Sequence, residues 1–166
     1  MARYSLTFNS QATVAIADTN ALTTLKYTAL GGNSATMQLK INEVQIGGQA
    51  SSGAVQVYRF ARDTTVAATS LTSVGLTNAA MDATTTAPGT LALFSNSSTT
   101  FPQRSATAHL INHTFNAFGG LVRWQARQGE ELTIVGNTQP LGECSYSGDT
   151  NTVASVVDGH ILYELV

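Results

Sequence analysis

Charged side chains are scarce in this chain of 166 residues. They make up 11% of it, less than half of the roughly 25% found in an ordinary soluble domain. The 8 Lys and Arg residues, against 10 Asp and Glu, give a formal net charge of -2. The basic residues are scattered singly, so no basic stripe could neutralise a phosphate backbone, and we expect no direct nucleic-acid binding. Ser, Thr, Asn, Gln and Gly replace the charges, and such a surface costs less to cover with a partner.

Cysteine and long apolar runs are also nearly absent. Cys144 is the single cysteine, which excludes an internal disulfide. No Lys, Arg or His follows or precedes it closely enough to activate its thiol, so we interpret it as a small buried hydrophobe. No run approaches the ~20 apolar residues that span a bilayer, and the start, Met-Ala-Arg-Tyr, lacks the apolar core of a signal peptide. We expect no membrane attachment, and synthesis and folding in a cytoplasm.

No catalytic or cofactor motif is found in the sequence. There is no G-x-S-x-G elbow, P-loop or dinucleotide fingerprint. Glu130 and Glu131 stand at a predicted strand start, where alternation sends their carboxylates to opposite faces. A Ser-His-Asp triad assembled by folding stays open, because its members need not be close in sequence. We predict no enzyme activity and no cofactor.

Two further groups of residues are candidates for a metal site and for a stacking site. His109 and His113 would lie ~13 Å apart on a strand that rises about 3.3 Å per residue, too far to share a metal ion. Trp124 stands close to Arg123 and Arg127, and this arrangement could stack a sugar or a cation, but a lone Trp on a strand usually fills the core. We predict no metal site and a packing role for Trp124.

The sequence does contain alternating apolar and polar residues, the period of a β-strand. Short runs of this kind are separated by Gly, Asn and Asp turn signals. We predict an all-β fold, an antiparallel β-sandwich of about eight to ten strands. The clearest alternating sets are Tyr4, Leu6 and Phe8; Met37, Leu39 and Ile41; Val55 and Val57 with Tyr58 and Phe60 on the opposite face; and His109, Ile111, His113 and Phe115.

One of these sets changes phase. After Ile41 the apolar positions shift to Val44 and Ile46. One extra residue near Asn42-Glu43, a β-bulge, would keep all of them on the same face. The Gly47-Gly48 pair that follows is interpreted as part of a flexible connection.

The chain is predicted to form one domain. Its length is about that of a single domain, and no linker, heptad run or repeat of ~20–50 residues divides it. We predict a single β-sandwich domain over 1–166, with a short N-terminal arm (1–4) and an irregular, insertion-like tract (62–89). Within the tract Asn78 could cap one helical turn, and a long unpatterned connection is often functional.

The closing third of the chain resembles a known group of proteins. Its segments 124–132 (WQARQGEEL), 142–145 (GECS) and 159–164 (GHILYE) are similar to the C-terminal part of tailed-bacteriophage virion proteins, in particular small capsid decoration, or cement, proteins. The resemblance implies a jelly-roll-like fold and a homotrimer bound to the major capsid protein on the outside of an icosahedral shell. It implies no named contact residue.

The low charge and the unpatterned tract agree with a protein that works by covering a partner. We therefore hypothesise that the N-terminal arm and the 62–89 tract make the subunit or capsid contacts. The candidate partner-binding residues are Ala2, Arg3, Tyr4, Val66, Leu71, Val74 and Leu76.

Three alternatives stay open. A carbohydrate- or receptor-binding phage tail module would use the same scaffold, with Trp124, Tyr58 or Tyr146 as exposed stacking platforms. A sandwich-fold hydrolase would need a polar cleft with shifted titratable groups. A jelly-roll subunit that forms the shell itself is the third, and the lack of a basic arm to meet the genome counts against it.

Overall fold

The computed structural model describes residues 2–12, 27–31, 38–65, 76–84, 92–94, 103–135, 144–149 and 156–166. These residues contain eleven β-strands and no helix, and hence no helix that could cross a membrane. The strands are β1 (Arg3–Ala12), β2 (Tyr27–Gly31), β3 (Gln38–Gln49), β4 (Val55–Thr65), β5 (Leu76–Ala80), β6 (Ala92–Phe94), β7 (Gln103–Asn116), β8 (Phe118–Gln125), β9 (Leu132–Val135), β10 (Cys144–Asp149) and β11 (Val156–Leu165).

The strands form two sheets. The six-stranded sheet runs β5-β1-β11-β3-β8, with β9 also paired to β3, and the five-stranded sheet runs β6-β2-β10-β4-β7. Four antiparallel pairs are nested in chain order: β4 with β7, β3 with β8, β2 with β10 and β1 with β11. Successive pairs belong alternately to the two sheets. This is the pattern produced when one long antiparallel hairpin is wrapped so that its two arms contribute to both layers.

The core takes apolar side chains from both sheets. In the described residues one buried cluster joins Leu6, Ile41 and Ile161 of the six-stranded sheet to Phe60 and Ile111 of the five-stranded sheet. The predicted all-β antiparallel sandwich is confirmed, with eleven strands where about eight to ten were expected. Its burial of apolar surface is what holds the two layers together.

A β-bulge interrupts β3 at Asn42. Glu43 pairs with Leu162 of β11, and the next residue of β11, Tyr163, pairs with Ile41. Asn42 therefore has no partner residue opposite it on β11. Ile41 and Val44 are both buried although three positions separate them. The bulge predicted near Asn42-Glu43 is confirmed.

The alternation predicted for the fourth set is found in β7. Ile111, His113 and Phe115 are buried and the residues between them are exposed. β4 lies between β10 and β7 in the five-stranded sheet. It buries the polar side chain of Gln56 on the same face as Phe60.

Arg3 and Tyr4, two residues of the predicted N-terminal arm, lie inside the six-stranded sheet. β1 begins at Arg3 and pairs with β11 on one side and β5 on the other. The Tyr4 side chain is 6% exposed, and its ring stacks on that of Tyr163 with centroids 5.4 Å apart. The prediction of an arm is therefore wrong for Arg3 and Tyr4. The alternation that starts at Tyr4 instead packs its apolar side chains into the chain's own core.

The 62–89 tract, predicted to be irregular, contains strand residues in its described parts. Residues 62–65 complete β4, and 76–80 form β5, which pairs with β1 along its whole length. Asn78 consequently lies within a strand, and the prediction that it caps a helical turn is wrong because the ladder with β1 sets its backbone conformation. Three candidate contact residues lie outside the described residues: Val66, Leu71 and Val74.

The chain crosses from the five-stranded to the six-stranded sheet at Ala117, between β7 and β8. Its N–H donates to Ala54 O, and its carbonyl accepts from Ala50 N–H, both at 2.8 Å. The backbone of Gly48 lies so close that a Cβ there would be 2.3 Å from Ala117 O. Only glycine fits this approach.

We expect Gly48→Ala to destabilise the fold by about 2–4 kcal/mol, because the added methyl overlaps a backbone that two hydrogen bonds hold in place. The measurement is urea denaturation followed by circular dichroism. Gly53→Ala is the matched control, since its Cβ would make an ordinary 3.4 Å contact with Asn116 Nδ2. Equal effects of the two substitutions would contradict the close approach at the crossover.

We expect Tyr4→Ala to cost about 3 kcal/mol or more, as for other buried aromatic truncations. Arg3→Ala removes a 2.7 Å ion pair with Glu164 whose arginine side chain is 72% exposed, and such pairs contribute ~0–1 kcal/mol. Thermal and urea unfolding of the two variants compare them directly. If the Tyr4 variant were as stable as the Arg3 variant, Tyr4 would not be a core residue and the prediction of an N-terminal arm would stand.

Candidate functional site

The outer face of the six-stranded sheet places polar side chains in a row across four strands. Because side chains alternate between the faces of a strand, pairing register decides which of them share that face. Thr7 of β1 pairs with His160 of β11, which pairs with Gln45 of β3, which pairs with Arg123 of β8. All four are at least partly exposed. This row forms one border of the candidate site.

Glu43 is the charged residue at the centre of this face. Its side chain is only 6% exposed. Arg123 Nη2 donates to its Oε2 at 2.6 Å, and His160 Nε2 lies 3.0 Å from its Oε1. We call these three residues the Glu43 cluster. Both carboxylate oxygens are engaged, so the cluster fixes two side chains of the row in place.

The electrostatics of the cluster favour positioning over proton transfer. The hydrogen bond from the Arg123 guanidinium holds the pKa of the Glu43 carboxyl below its usual range; burial opposes this and the His160 contact reinforces it. The same contact raises the pKa of Arg123. A general acid or base needs a pKa near the working pH. Glu43 instead stays ionised and orients its neighbours.

Beside the cluster the outer face sinks into an open groove of about 430 Å³. This volume lies within the roughly 300–1,000 Å³ of small-molecule sites. We call it the Gly47 groove, and its lining residues are Thr7, Gln45, Gly47, Gly48, Gln49, Gly119, Gly120, Leu121, Asp158, Gly159 and His160.

The register of the sheet explains why a groove forms here. Gly47 pairs with Asp158 on one side and with Leu121 on the other. On the outer face, the missing side chain of Gly47 therefore leaves a gap between the side chains of Asp158 and Leu121. Gln45 and Gln49 stand two residues before and after it on β3. The Gln49 amide also donates a hydrogen bond to the Asp158 carboxylate. Side chains therefore surround a floor of glycine backbone.

Large apolar side chains are exposed at the end of the groove. Leu121 is 64% and Phe118 63% exposed, and Phe118 pairs with Gln49. Val55, also exposed, pairs with Asn116 just before the crossover. Exposed apolar groups rimmed by polar ones are typical of binding surfaces. The other exposed large apolar side chains of the described residues are Met81, Leu110 and Val166.

Four of the predicted contact residues lie on or beside the paired strands β1 and β5 at one edge of the six-stranded sheet: Ala2, Arg3, Tyr4 and Leu76. Leu76 pairs with Phe8, so it lies at the opposite end of β5 from Arg3. Leu76 begins β5, which runs beside β1, and Met81 N–H donates to Arg3 O at 2.8 Å just beyond the end of β5. Ala2 packs partly against the core. We call residues 2–3 and 76–81 the β1–β5 edge. Tyr4 is no longer assigned as a contact residue, because its ring is buried within the chain's own core.

Two of the three aromatic residues considered as stacking platforms, Trp124 and Tyr58, pack against the core. Trp124 is partly buried, packs against the core cluster and lies opposite Val44. Tyr58 is buried, with its ring centroid 6.0 Å from that of Phe115. Both side chains contribute to the core packing, so neither forms a fully exposed stacking platform. The side chain of Tyr146 lies outside the description.

The structure also places the other titratable residues considered in the sequence. His113 is buried on the inner face of β7, where burial lowers its pKa. His109 is partly exposed and pairs with Ala61, beyond a register shift that interrupts the alternation of β7. Glu131 is in the turn before β9, where its carboxylate accepts a 2.9 Å hydrogen bond from Gly129 N–H that lowers its pKa. Within the described ranges, no three His, Cys, Asp or Glu residues are grouped so that they could hold a metal ion.

The Glu43 cluster and the Gly47 groove were not predicted from the sequence. Their residues come from β1, β3, β8 and β11, which only strand pairing brings together. One signal was present: Gly47-Gly48 follows an alternating set directly. It was interpreted as a flexible connection, whereas β3 continues through both glycines to Gln49.

We expect Glu43→Gln to lower the urea midpoint at pH 7, because Arg123 and His160 lose a carboxylate partner. The unfolded carboxyl takes up its proton at a higher pH than the folded one. Between the two pKa values the unfolded state therefore holds more protons, and stability falls as the pH falls. The stability gap between wild type and variant should be largest at neutral pH and close below the ordinary carboxyl range.

Denaturation at pH 7, 5, 4 and 3 measures this gap. Glu130→Gln is the control, since Glu130 is exposed in the turn before β9 and the substitution should leave the midpoint unchanged. A gap for Glu43→Gln that is the same at every pH would show that its carboxylate charge does not stabilise the fold.

Comparison of the chain with protein-family models, with curated proteins and with solved structures finds no match. What the protein does must therefore be inferred from its own fold and surface. The fixed charges of the Glu43 cluster, the glycine-floored groove and the exposed apolar side chains beside it suit binding better than bond-making chemistry.

Proposed function

We propose that this chain is a structural virion protein that decorates and stabilises an icosahedral phage capsid. In this role it binds the major capsid protein on the outer surface of the shell as a homotrimer. The observation that carries the proposal is the nested order of its strands. The resemblance of its closing segments to capsid decoration proteins points in the same direction.

The strand order supports the jelly-roll form of the sandwich. Without β5, β6 and β9, eight strands remain in two sheets, β1-β11-β3-β8 and β2-β10-β4-β7. The antiparallel partners are nested from the innermost pair, β4 with β7, to the outermost, β1 with β11. Eight strands in two four-stranded sheets are the plan of the jelly roll, which viral capsid domains share with lectins and cupins. Since one fold serves several functions, the surface has to decide among them.

The composition of the surface favours assembly. With 11% charged residues, covering this surface desolvates few ions. A decoration protein needs no chemistry, because its affinity comes from buried area of about 1,200–2,000 Å² and from preformed shape. A trimer multiplies weak contacts by avidity.

The β1–β5 edge is the surface to which we assign the contacts. It contains Ala2, Arg3 and Leu76 together with the exposed side chain of Met81. The other candidates of the same tract, Val66, Leu71 and Val74, are proposed to extend this surface. Tyr4 supports it from below through its stack on Tyr163.

The test is native mass measurement followed by co-sedimentation with shells built from the major capsid protein of the same virus. We expect a trimer that sediments with the shells and raises the temperature at which they release their contents. Arg3→Ala combined with Met81→Ser should weaken sedimentation at least tenfold, because the exposed long side chains of Arg3 and Met81 are both removed from the edge.

Leu110→Ser is the matched control. Leu110 is also an exposed apolar residue, but it lies on the outer face of the five-stranded sheet, so its replacement should leave shell binding intact. A monomer that does not sediment with shells would overturn the proposed function. Trimers that bind shells equally well with the edge variant would instead overturn the assignment of the edge.

A further inference from the structure

We propose that the Gly47 groove is a binding site for a neutral saccharide. The site is separate from the β1–β5 edge and does not depend on shell binding. At this site the protein would recognise a sugar through hydrogen bonds to the hydroxyl groups of the sugar.

The floor of the groove is shaped for a ligand to lie against backbone. Gly47 has no side chain between Asp158 and Leu121, and glycine is the residue that lets a ligand approach the main chain closely. A Cβ at Gly47 would come within 3.2 Å of Gly120 O and of Leu121 Cδ1, so even one methyl group would press against the wall that β8 forms.

The polar walls supply both acceptors and donors for hydroxyl groups. Asp158 and the oxygens of Gln45 and Gln49 accept hydrogen bonds, and the two amide nitrogens donate them. The walls are also preorganised: the Gln49 amide is bonded to Asp158, and His160 is held by Glu43 at 3.0 Å. Groups fixed in this way lose little side-chain entropy when a ligand binds.

The charges select a neutral ligand. Of the described residues that line the groove, none is Lys or Arg, and the nearby Arg123 is bound to Glu43 at 2.6 Å. The groove's carboxylate, Asp158, would repel a phosphate, sulfate or carboxylate group. One carboxylate with amide neighbours is also too few anionic ligands to hold a metal ion. A polyhydroxylated, uncharged ligand fits these walls.

The apolar end of the groove fits the other side of a sugar ring. Leu121 and Phe118 are both more than half exposed on β8, and Phe118 pairs with Gln49 at the groove wall. A pyranose presents C–H groups on one face and hydroxyls at its rim, so the apolar pair and the polar walls can be contacted together. The volume of about 430 Å³ is in the range of small-ligand sites.

The test is binding of the full-length protein to a glycan array that includes neutral, sialylated and sulfated glycans, followed by titration calorimetry of the best ligand. We expect binding of neutral glycans. Gly47→Val, which fills the floor, and Asp158→Asn, which keeps the shape but removes the charged acceptor, should each weaken binding at least tenfold. Asn112→Ala, on the exposed outer face of β7, is the matched control and should bind as wild type.

Thermal melting of each variant separates lost binding from lost folding, and Asp158→Asn carries the test if Gly47→Val does not fold. The proposal is overturned if no neutral glycan binds, if only charged glycans bind, or if Asp158→Asn binds as well as wild type. Shell co-sedimentation of the same Asp158 variant should be normal, so failure of the saccharide site and failure of capsid decoration are distinguishable.

Discussion

The single extra residue in β3 is the constraint on which the rest of the six-stranded sheet depends. Before Asn42 the strand buries Ile41, and after it the strand buries Val44, so both halves face the same core. Strict alternation would have turned Glu43, Gln45 and Gly47 inward. The bulge instead sets them on the outer face, where Glu43 meets Arg123 and His160 and where the absent side chain of Gly47 becomes a groove.

The second constraint is the crossover between the layers. A wrapped hairpin has to pass from one sheet to the other, and between β7 and β8 this passage takes place within the single residue Ala117. The two hydrogen bonds to the 50–54 loop and the close approach of Gly48 hold it there. The exposed apolar residues Phe118 and Leu121 follow immediately, so the geometry of the crossover also places the apolar end of the groove.

The two proposed surfaces occupy different parts of the same sheet. The β1–β5 edge ends the six-stranded sheet on one side, whereas the groove is centred on β11, β3 and β8 toward the other. A protein attached to a shell through the edge could therefore keep the groove open to a saccharide. The low charge suits both roles, since neither a protein contact of this kind nor a neutral ligand requires a charged surface.

Much of the fold was readable from the sequence, because the period of two is a local property. It predicted the all-β sandwich, the bulge near Asn42 and the buried face of β7. Composition predicted the weakly charged surface. The N-terminal arm was wrong at Tyr4, although the alternation had included that residue, and the local pattern missed the strand at 76–80, where pairing with the distant β1 decided the structure.

What the sequence by itself determined is which side chains of each strand share a face, since that follows from backbone geometry alone. Only the tertiary structure decided which strands are neighbours, and therefore that Glu43 lies against Arg123 and His160 and that Gly47 lies between Asp158 and Leu121. These contacts join residues 74 to 117 positions apart, and their register depends on the wrapping of the whole chain. No local pattern contains that information, because the free energy that selects it comes from burying both sheets at once.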